Sequence, residues 1–197
     1  MVVKKLKLAI FISGRGSNMI SIIDACRNAR FPAEVSLVLS NRPDAEGITL
    51  AKNENIATEI VDHRSFDSRE TFENEICNQL DKHDFDLIVL AGFMRVLTSS
   101  FVEKWPDQII NIHPSLLPDY KGLHTHARAI ADGKKEAGCT VHFVIPDLDS
   151  GPTILQKRVP IHHDDTPETL AERVLEQEHT AYPQAIEIIA STSSNQE

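Results

Sequence analysis

The stretch KLAIFISGRGSNMISIIDACRNA, residues 7–29, decides the fold. Residues 8–12 form a short apolar run rich in β-forming side chains, which is typical of a buried strand. A turn with two glycines follows, and then Ile20, Ile23 and Cys26 recur at helical spacing. The charged start superficially resembles a secretory signal, but the apolar run is short and no small-residue cleavage pattern follows it. The sequence therefore begins with a strand, a glycine turn and a helix.

The same alternation continues along the chain. The strand patterns EVSLVLS and ATEIVD are followed by the helical patterns AEGITLAKNEN and SRETFENEICNQLDKH, and four more apolar runs come later: DLIVLAG, QIINIHP, GCTVHFV and TILQKRVPI. We therefore predict an α/β fold, an open, mostly parallel twisted sheet with helices on both faces, with the last two runs as a final pair of strands. Because no repeat or linker divides the sequence, residues 1–197 are predicted to form a single domain.

The last helix carries clear start signals. In DDTPETLAERVLEQEHTAYPQAIEIIA, Thr166 can cap the helix, Pro167 suits its first position and Glu168 favours its positive end. Pro183 is expected to kink or interrupt this helix. The polar tail, residues 191–197, is expected to fray.

Composition limits the partners. The 197 residues carry a formal charge of -9 with a pI near 5.4, so we predict neither a nucleic-acid partner nor association with a membrane surface. No apolar stretch of the sequence approaches the length that spans a bilayer. Cys26, Cys77 and Cys139 are odd in number and far apart, which favours thiols in a reducing cytoplasm over a disulfide framework or a zinc knuckle.

The motif SGRGSN, residues 13–18, lies between the first strand and the first helix, where a parallel sheet binds its ligands. Gly14 and Gly16 let the backbone turn tightly, and Ser17 and Asn18 place donors at a helix N-terminus, which suits a phosphate. The motif lacks the third glycine of the dinucleotide fingerprint and the Gly-Lys-Ser/Thr ending of the ATP-type loop. Both an anion site and an ordinary glycine turn remain open.

The stretch INIHPSLLP, residues 110–118, ends an apolar run with two polar side chains before a proline-rich turn. Asn111 and His113 are two residues apart, so they share one face of an extended strand. An asparagine can donate to a developing oxyanion, and a histidine can donate or accept a proton near neutral pH. The alternative is a hydrogen-bonded histidine beside a proline turn.

The loop IPDLDSGP, residues 145–152, offers two carboxylates, Asp147 and Asp149. Most aspartates in such turns bond to loop amides. If one of these carboxylates reaches His113, it would fix the tautomer of the ring and favour its protonated form.

Two histidine pairs, His124 with His126 and His162 with His163, raise the question of a metal. Neither pair has the i, i+4 helical spacing of a zinc enzyme or a nearby cysteine, so loop or helix-cap roles are favoured and no metal site is predicted. The QEH stretch, residues 177–179, fits either a solvated helix face or a ligand contact.

Six motifs together carry a family pattern. SGRGSN, LAGFMRVL, NIHPSLLPDYKGLHTH, GCTVHFV, DLDSGP and EQEHTAYP occur in the order, and at about the separations, of the phosphoribosylglycinamide formyltransferase family, the folate-dependent formyl transferases of purine synthesis. The resemblance extends over residues 8–189. The run from Asn111 to His126 is specific to folate-dependent formyl transferases.

The resemblance implies a set of site residues. The catalytic residues would be Asn111, His113 and Asp149. The ribonucleotide would bind through its phosphate to Gly16, Ser17 and Asn18, and through its glycine amine to Glu178. The folate site would be lined by Arg69, Met94, Arg95, Val96, Leu97, Asn111, Ile145, Pro146, Asp147, Leu148 and Asp149.

The resemblance also implies a reaction. The amine of 5'-phosphoribosylglycinamide attacks the formyl carbon of the co-substrate 10-formyltetrahydrofolate, and tetrahydrofolate leaves from a tetrahedral intermediate. Asn111 would donate to the oxyanion, and protonated His113 would stabilise the same charge and supply a proton. Arg15, Arg69 and Arg95 would offset the acidic net charge near two anionic substrates. The enzyme is expected in the cytoplasm, without a metal, as a monomer or a homodimer.

Three positions depart from the family pattern. Ser150 stands where a second glycine is expected, which would stiffen the carboxylate loop and alter folate access. Leu175 stands where some members have a polar residue, so no substrate contact is assigned to it. The sequence stops soon after the last helix, whereas several members continue.

Other functions remain as rivals. Methionyl-tRNA formyltransferase and formyltetrahydrofolate deformylase share the catalytic residues, but each carries an additional domain, and the short acidic sequence disfavours both. A non-catalytic domain that binds a phosphorylated or folate ligand would not need a proton donor beside an oxyanion donor.

Overall fold

The computed structural model describes residues 5–193 and, within them, seven strands and six α-helices. The strands are β1 (Leu6–Ile12), β2 (Ala33–Ser40), β3 (Ala57–Ile60), β4 (Leu87–Leu90), β5 (Ile109–His113), β6 (Glu136–Phe143) and β7 (Thr153–Pro160). The helices are α1 (Ser17–Cys26), α2 (Glu46–Asn53), α3 (Arg69–Leu80), α4 (Ser99–Lys104), α5 (Thr125–Ala131) and α6 (Pro167–Ser193), and a short 3-10 helix covers His63–Ser65.

The seven strands form one sheet in the order β3-β2-β1-β4-β5-β6-β7. The first five in this order are parallel, and β6 and β7 are antiparallel to their neighbours. The predicted α/β fold, with its mostly parallel sheet and its final pair of strands, is therefore confirmed. The chain moves outward from β1 in both directions, so the crevice between the ends of β1 and β4 is the switch point at which such sheets bind ligands.

Helices cover both faces of the sheet. In β1, Leu8, Ile10 and Ile12 pack into one hydrophobic cluster, and the alternate residues Ala9 and Phe11 pack into a second cluster. The first cluster includes apolar residues of α1, α2 and α6, and the second those of α3 and α4. A strand buried on both faces reads as the continuous apolar run that the sequence shows.

Helix α6 begins as predicted but does not end or break where expected. Thr166 Oγ1 accepts a hydrogen bond from the backbone of Thr169 at 3.3 Å, and Pro167 is the first helical residue. The predicted interruption at Pro183 is wrong, because the helix continues to Ser193, and the alternative, a kink, stays a prediction. Pro183 has no backbone N–H, so the helix lacks one of its hydrogen bonds there. The neighbouring Tyr182 is fully buried, and its hydroxyl donates to the carbonyl of Leu90 at 2.9 Å, which holds the helix against the sheet.

The predicted polar tail also starts later than expected. Its first three residues, 191–193, are helical, because they continue the last turns of α6, and residues 194–197 lie outside the described part of the chain. In residues 5–193, no helix has the length and apolar character that a membrane span requires.

Candidate active site

Asn111 and His113 lie on β5, where the side chains of alternate residues share a face. Asn111 is directly opposite His142 of β6, and its Nδ2 lies 3.4 Å from His142 Nε2. His113 is buried, and its Nε2 donates to the carbonyl oxygen of Tyr120 at 2.9 Å. His113 is thus a histidine bonded within the proline-rich turn, and its role as a site residue stays a prediction.

Asp149 joins the two histidines. Its Oδ2 lies 3.4 Å from His113 Nδ1, and its Oδ1 lies 3.8 Å from His142 Nε2. The carboxylate predicted to reach His113 is therefore Asp149, while Asp147 is exposed. His142 thus lies between Asp149 and Asn111, and Asp149 contacts His113. We call Asn111, His113 and Asp149 the polar cluster, and His142 lies beside it.

The loop that carries Asp149 is tied to the turn after β5. Asp149 has a left-handed backbone with φ 48°, and its Oδ2 accepts a hydrogen bond from the backbone of Gly122 at 2.8 Å. Ser150 Oγ donates to the carbonyl of Leu148 at 2.9 Å and accepts from Lys121 Nζ at 2.6 Å. These contacts restrain the loop, and an effect of Ser150 on folate access stays a prediction.

The glycine turn after β1 brings the backbone close to a neighbouring helix. Gly16 has φ 77°, and a Cβ atom there would lie 3.2 Å from the Cα atom of Gly47. The carbonyl oxygen of Gly14 accepts a hydrogen bond from the backbone of Gly47 at 3.0 Å. Helix α1 then begins at Ser17, so its first backbone N–H groups have no carbonyl partners within their own helix.

Asn18 and Glu178 meet below this turn. Asn18 Nδ2 donates to Glu178 Oε2 at 2.7 Å, and both residues are buried. Burial raises the pKa of the Glu178 carboxyl, and the hydrogen bond from Asn18 opposes that shift. The buried Asn18 Oδ1 has no hydrogen-bond partner among residues 5–193. A buried carboxylate beside an unsatisfied acceptor suits a ligand that brings its own N–H or O–H donors.

A groove of about 540 Å³ opens beside the start of α1. Its lining includes the cationic Arg15 and the titratable His179, together with Ser17, Ile20, Ser21, Asp24, Glu46 and Leu50. A second cavity, beside Tyr120 and His126, holds about 30 Å³, which is room for a single water molecule. The larger groove has room for a small-molecule ligand beside the glycine turn.

The segment after β4 borders the same crevice. The backbone N–H of Met94 donates to Ser13 Oγ at 2.7 Å, and Ser13 donates to Asn41 Oδ1 at 2.6 Å. At the other end of the segment, the buried Glu73 of α3 accepts hydrogen bonds from the backbone N–H of Thr98, at 2.7 Å, and from its hydroxyl. The segment is thus anchored at both ends.

Apolar side chains project into solvent on this side of the molecule. Met94 is 74% exposed, Val96 is 55% exposed and Leu148, on the Asp149 loop, is 54% exposed. Arg69 is exposed at the start of α3, outside the polar cluster, and Arg95 has a buried Nε without a hydrogen-bond partner among residues 5–193. Exposed apolar side chains beside unpaired polar atoms are typical of a binding surface.

The histidine pairs of the sequence do not meet in a metal centre. His124 precedes α5, His126 lies within it, and His162 and His163 are exposed before α6. Among residues 5–193, no three His, Cys, Asp or Glu side chains are grouped as metal ligands would be.

Three residues that contact the candidate site could not be predicted from the sequence: Ser13, Glu73 and His142. Ser13 and Glu73 act on backbone atoms of distant segments, which no local pattern shows. For His142 the sequence does contain an indication, because a histidine interrupts the apolar strand GCTVHFV. In the structure this histidine lies opposite Asn111.

Comparisons with known proteins show the family of the chain. Residues 6–186 match the formyl transferase family, and the chain belongs to that family. The phosphoribosylglycinamide formyltransferase of Escherichia coli K12 is 44% identical over 181 residues, which are 92% of this chain and 85% of that protein. The crystal structure of phosphoribosylglycinamide formyltransferase from Brucella melitensis matches with a TM-score of 0.91 and 46% identity, covering 95% of this chain and 96% of that chain.

A longer relative contains the same region as a part. The trifunctional purine biosynthetic protein adenosine-3 of Gallus gallus is 43% identical over 187 residues, which are 95% of this chain but 19% of that protein. This chain therefore spans about a fifth of the length of that relative.

Proposed function

We propose that this chain transfers the formyl group of 10-formyltetrahydrofolate to the amine of 5'-phosphoribosylglycinamide, giving formylglycinamide ribonucleotide and tetrahydrofolate in purine synthesis. The observation that carries the proposal is the polar cluster, in which Asp149 Oδ2 lies 3.4 Å from Nδ1 of His113, on the strand that also presents Asn111. The E. coli and Brucella relatives are named for formyl transfer to phosphoribosylglycinamide, which supports this acceptor.

The ribonucleotide would occupy the crevice beside β1. The backbone N–H groups of Gly16, Ser17 and Asn18 suit its phosphate, because they open a helix whose N-terminus attracts anions. Glu178 would accept from the glycine amine, and the free Asn18 Oδ1 is a second acceptor beside it.

The folate would lie across the exposed apolar side chains after β4 and on the Asp149 loop. Met94, Val96 and Leu148 offer apolar surface to a ring system. The proposed folate site also includes Arg95, Leu97 and Asn111, together with Ile145, Pro146 and Asp147 of the loop. Arg69 and Arg95 offer positive charge to a carboxylate tail.

In the proposed mechanism, the amine nitrogen forms a bond to the formyl carbon, and the carbonyl oxygen becomes an oxyanion. Asn111 Nδ2 donates a hydrogen bond to that oxyanion, and a proton on His113 stabilises the same charge. The intermediate then collapses, the bond from carbon to N10 of the folate breaks, and N10 receives a proton while the amine loses one. Both ring nitrogens of His113 face oxygens, Nε2 the carbonyl of Tyr120 and Nδ1 the carboxylate of Asp149.

The compartment and the assembly belong to the same proposal. The free Cys26, Cys77 and Cys139 fit the reducing cytoplasm. The proposed partners are two small-molecule substrates, with the chain acting as a monomer or a homodimer.

Product analysis tests the proposal directly. The purified chain is incubated with the ribonucleotide and with 10-formyltetrahydrofolate labelled with ¹³C in its formyl group. Mass spectrometry should find the label in formylglycinamide ribonucleotide. Label found in formate instead would assign the chain to hydrolysis of the folate, and label left in unreacted folate would assign it to binding without catalysis.

A further inference from the structure

His142 is a buried histidine to which the proposed reaction gives no role. It is 2% exposed and lies directly opposite Asn111 across the pair of β5 and β6. Its Nδ1 lies 2.8 Å from the carbonyl oxygen of Phe143, and its Nε2 lies 3.4 Å from Asn111 Nδ2. Both ring nitrogens have neighbours that restrict which of them carries the proton.

These neighbours select one tautomer. A carbonyl oxygen is an acceptor, so Nδ1 must carry a proton and, in the neutral ring, Nε2 keeps a lone pair. Burial lowers the pKa of His142; the Phe143 carbonyl and Asp149 oppose this shift, and His113 adds to it. Near neutral pH, His142 is therefore a neutral ring that donates from Nδ1 and accepts at Nε2.

This tautomer determines how the Asn111 amide is turned. An asparagine side chain has two N–H donors at one end and a carbonyl acceptor at the other. When Asn111 Nδ2 gives one hydrogen to His142 Nε2, its second hydrogen stays free for an oxyanion. If the amide turned over, its oxygen would face the lone pair of His142, and the site would lose that donor.

We propose that His142 is a positioning residue, which holds the Asn111 amide in the orientation of an oxyanion donor through its Nδ1–H tautomer. The proposal rests on the proposed function for the role of Asn111, but the tautomer is a property of the free protein. Asp149 Oδ1, 3.8 Å from His142 Nε2, is the competing partner. A protonated ring would donate to that carboxylate and would no longer accept from Asn111.

Two substitutions at position 142 form a matched pair. A glutamine can place its amide oxygen where His142 has Nε2, whereas an asparagine reaches the position of Nδ1 and stops short of Asn111. His142→Gln should keep kcat within about twofold, and His142→Asn should lower kcat about tenfold, the value of one neutral hydrogen bond. KM for both substrates should stay unchanged, because the contact acts on the transition state.

The coupling to Asn111 separates positioning from general damage. In an Asn111→Ala background, His142→Asn should lower kcat no further, because there is no amide left to orient. Thermal unfolding checks that each variant folds. An equal loss of kcat in both backgrounds, or equal kcat in the two position-142 variants, would overturn the proposal.

A measurement on the unmodified chain requires neither substrate nor a stable variant. With ¹⁵N-labelled histidine, long-range ¹H–¹⁵N correlation spectra at neutral pH report the tautomer of each ring, and contacts to Phe143 assign His142. The expected result is the Nδ1–H tautomer. An Nε2–H ring would overturn the proposal even in an active transferase, and a chain that has the Nδ1–H ring but forms no product would instead contradict the proposed function.

Discussion

At the residue scale, Asn111 tests the chemistry. Asn111→Ala should keep the fold and lower kcat by roughly 10²–10³, because one oxyanion donor contributes about that much in other enzymes. Steady-state kinetics with both substrates measures the loss. KM should change little, since the hydrogen bond forms in the transition state.

Asn111→Asp is the matched control, because it keeps the shape of the side chain and replaces the N–H donor with a carboxylate oxygen. It should be at least as inactive as Asn111→Ala. His113→Ala and Asp149→Ala should likewise fold and lose most turnover. A fully active Asn111→Ala or His113→Ala protein would contradict the assigned roles.

Glu178 gives a prediction in which stability and binding move in opposite directions. Its raised pKa means that the folded state binds this proton more tightly than the unfolded state, whose pKa is near the ordinary 4.5. Stability therefore falls as the pH rises from about 4.5 through the folded pKa. Glu178→Gln removes this loss and keeps an oxygen that accepts from Asn18.

At pH 7 to 8, Glu178→Gln should unfold at a higher temperature, because its free energy of unfolding is larger by on the order of 1 kcal/mol. The same substitution should raise KM for the ribonucleotide. Thermal unfolding from pH 4 to 8 measures the difference, which should shrink toward the acidic end. A variant less stable than the parent at pH 8 would show that the ionised carboxylate stabilises the fold.

At the element scale, α3 contacts the segment after β4, which lines the proposed folate site. Glu73 accepts two hydrogen bonds from Thr98, so Glu73→Ala leaves these donors without their partner and frees the end of the segment after β4. We expect a loss of roughly 1–3 kcal/mol in stability and a higher KM for the folate, with a smaller change in KM for the ribonucleotide. Asn74→Ala, at an exposed position of the same helix, is the control.

Denaturant unfolding and KM measurements on both variants check this prediction. Equal folate KM values for the parent and for Glu73→Ala would remove the link between α3 and the folate site.

The elements that sequence patterns revealed are those with strong periodicity. Residues 8–12 are apolar at every position, which predicts a strand buried on both faces. Thr166 and Pro167 predict the start of α6. Helices α4 and α5 were missed because they have six and seven residues, too few for a periodic signal. The continuity of α6 through Pro183 depends on packing around Tyr182, which no local rule contains.

For the site, the sequence indicated Asn111 and His113 through their spacing, and the resemblance singled out Asp149. The contact of Asp149 with His113 depends on a hairpin loop that folds back from β6, so spacing could not show it. The place of His142 beside Asn111 depends on the antiparallel register of β5 and β6. Register across strands is a tertiary property, which one sequence leaves open.

At the scale of the whole molecule, the proposed mechanism uses side chains and backbone groups for every step. Activity should therefore survive prolonged dialysis against EDTA with kcat unchanged. Assays before and after dialysis, and after addition of Mg²⁺ or Zn²⁺, measure this. A loss that a metal restores would contradict a mechanism carried by Asn111, His113 and Asp149.

The central claim is that formyl transfer depends on the ribonucleotide. The most direct measurement is a turnover assay with purified protein and 10-formyltetrahydrofolate, run with and without 5'-phosphoribosylglycinamide, that follows both tetrahydrofolate and formate. We predict release of tetrahydrofolate that requires the ribonucleotide and gives no formate. Formate released without the ribonucleotide would contradict the transferase and indicate a deformylase, and the absence of any turnover would contradict catalysis altogether.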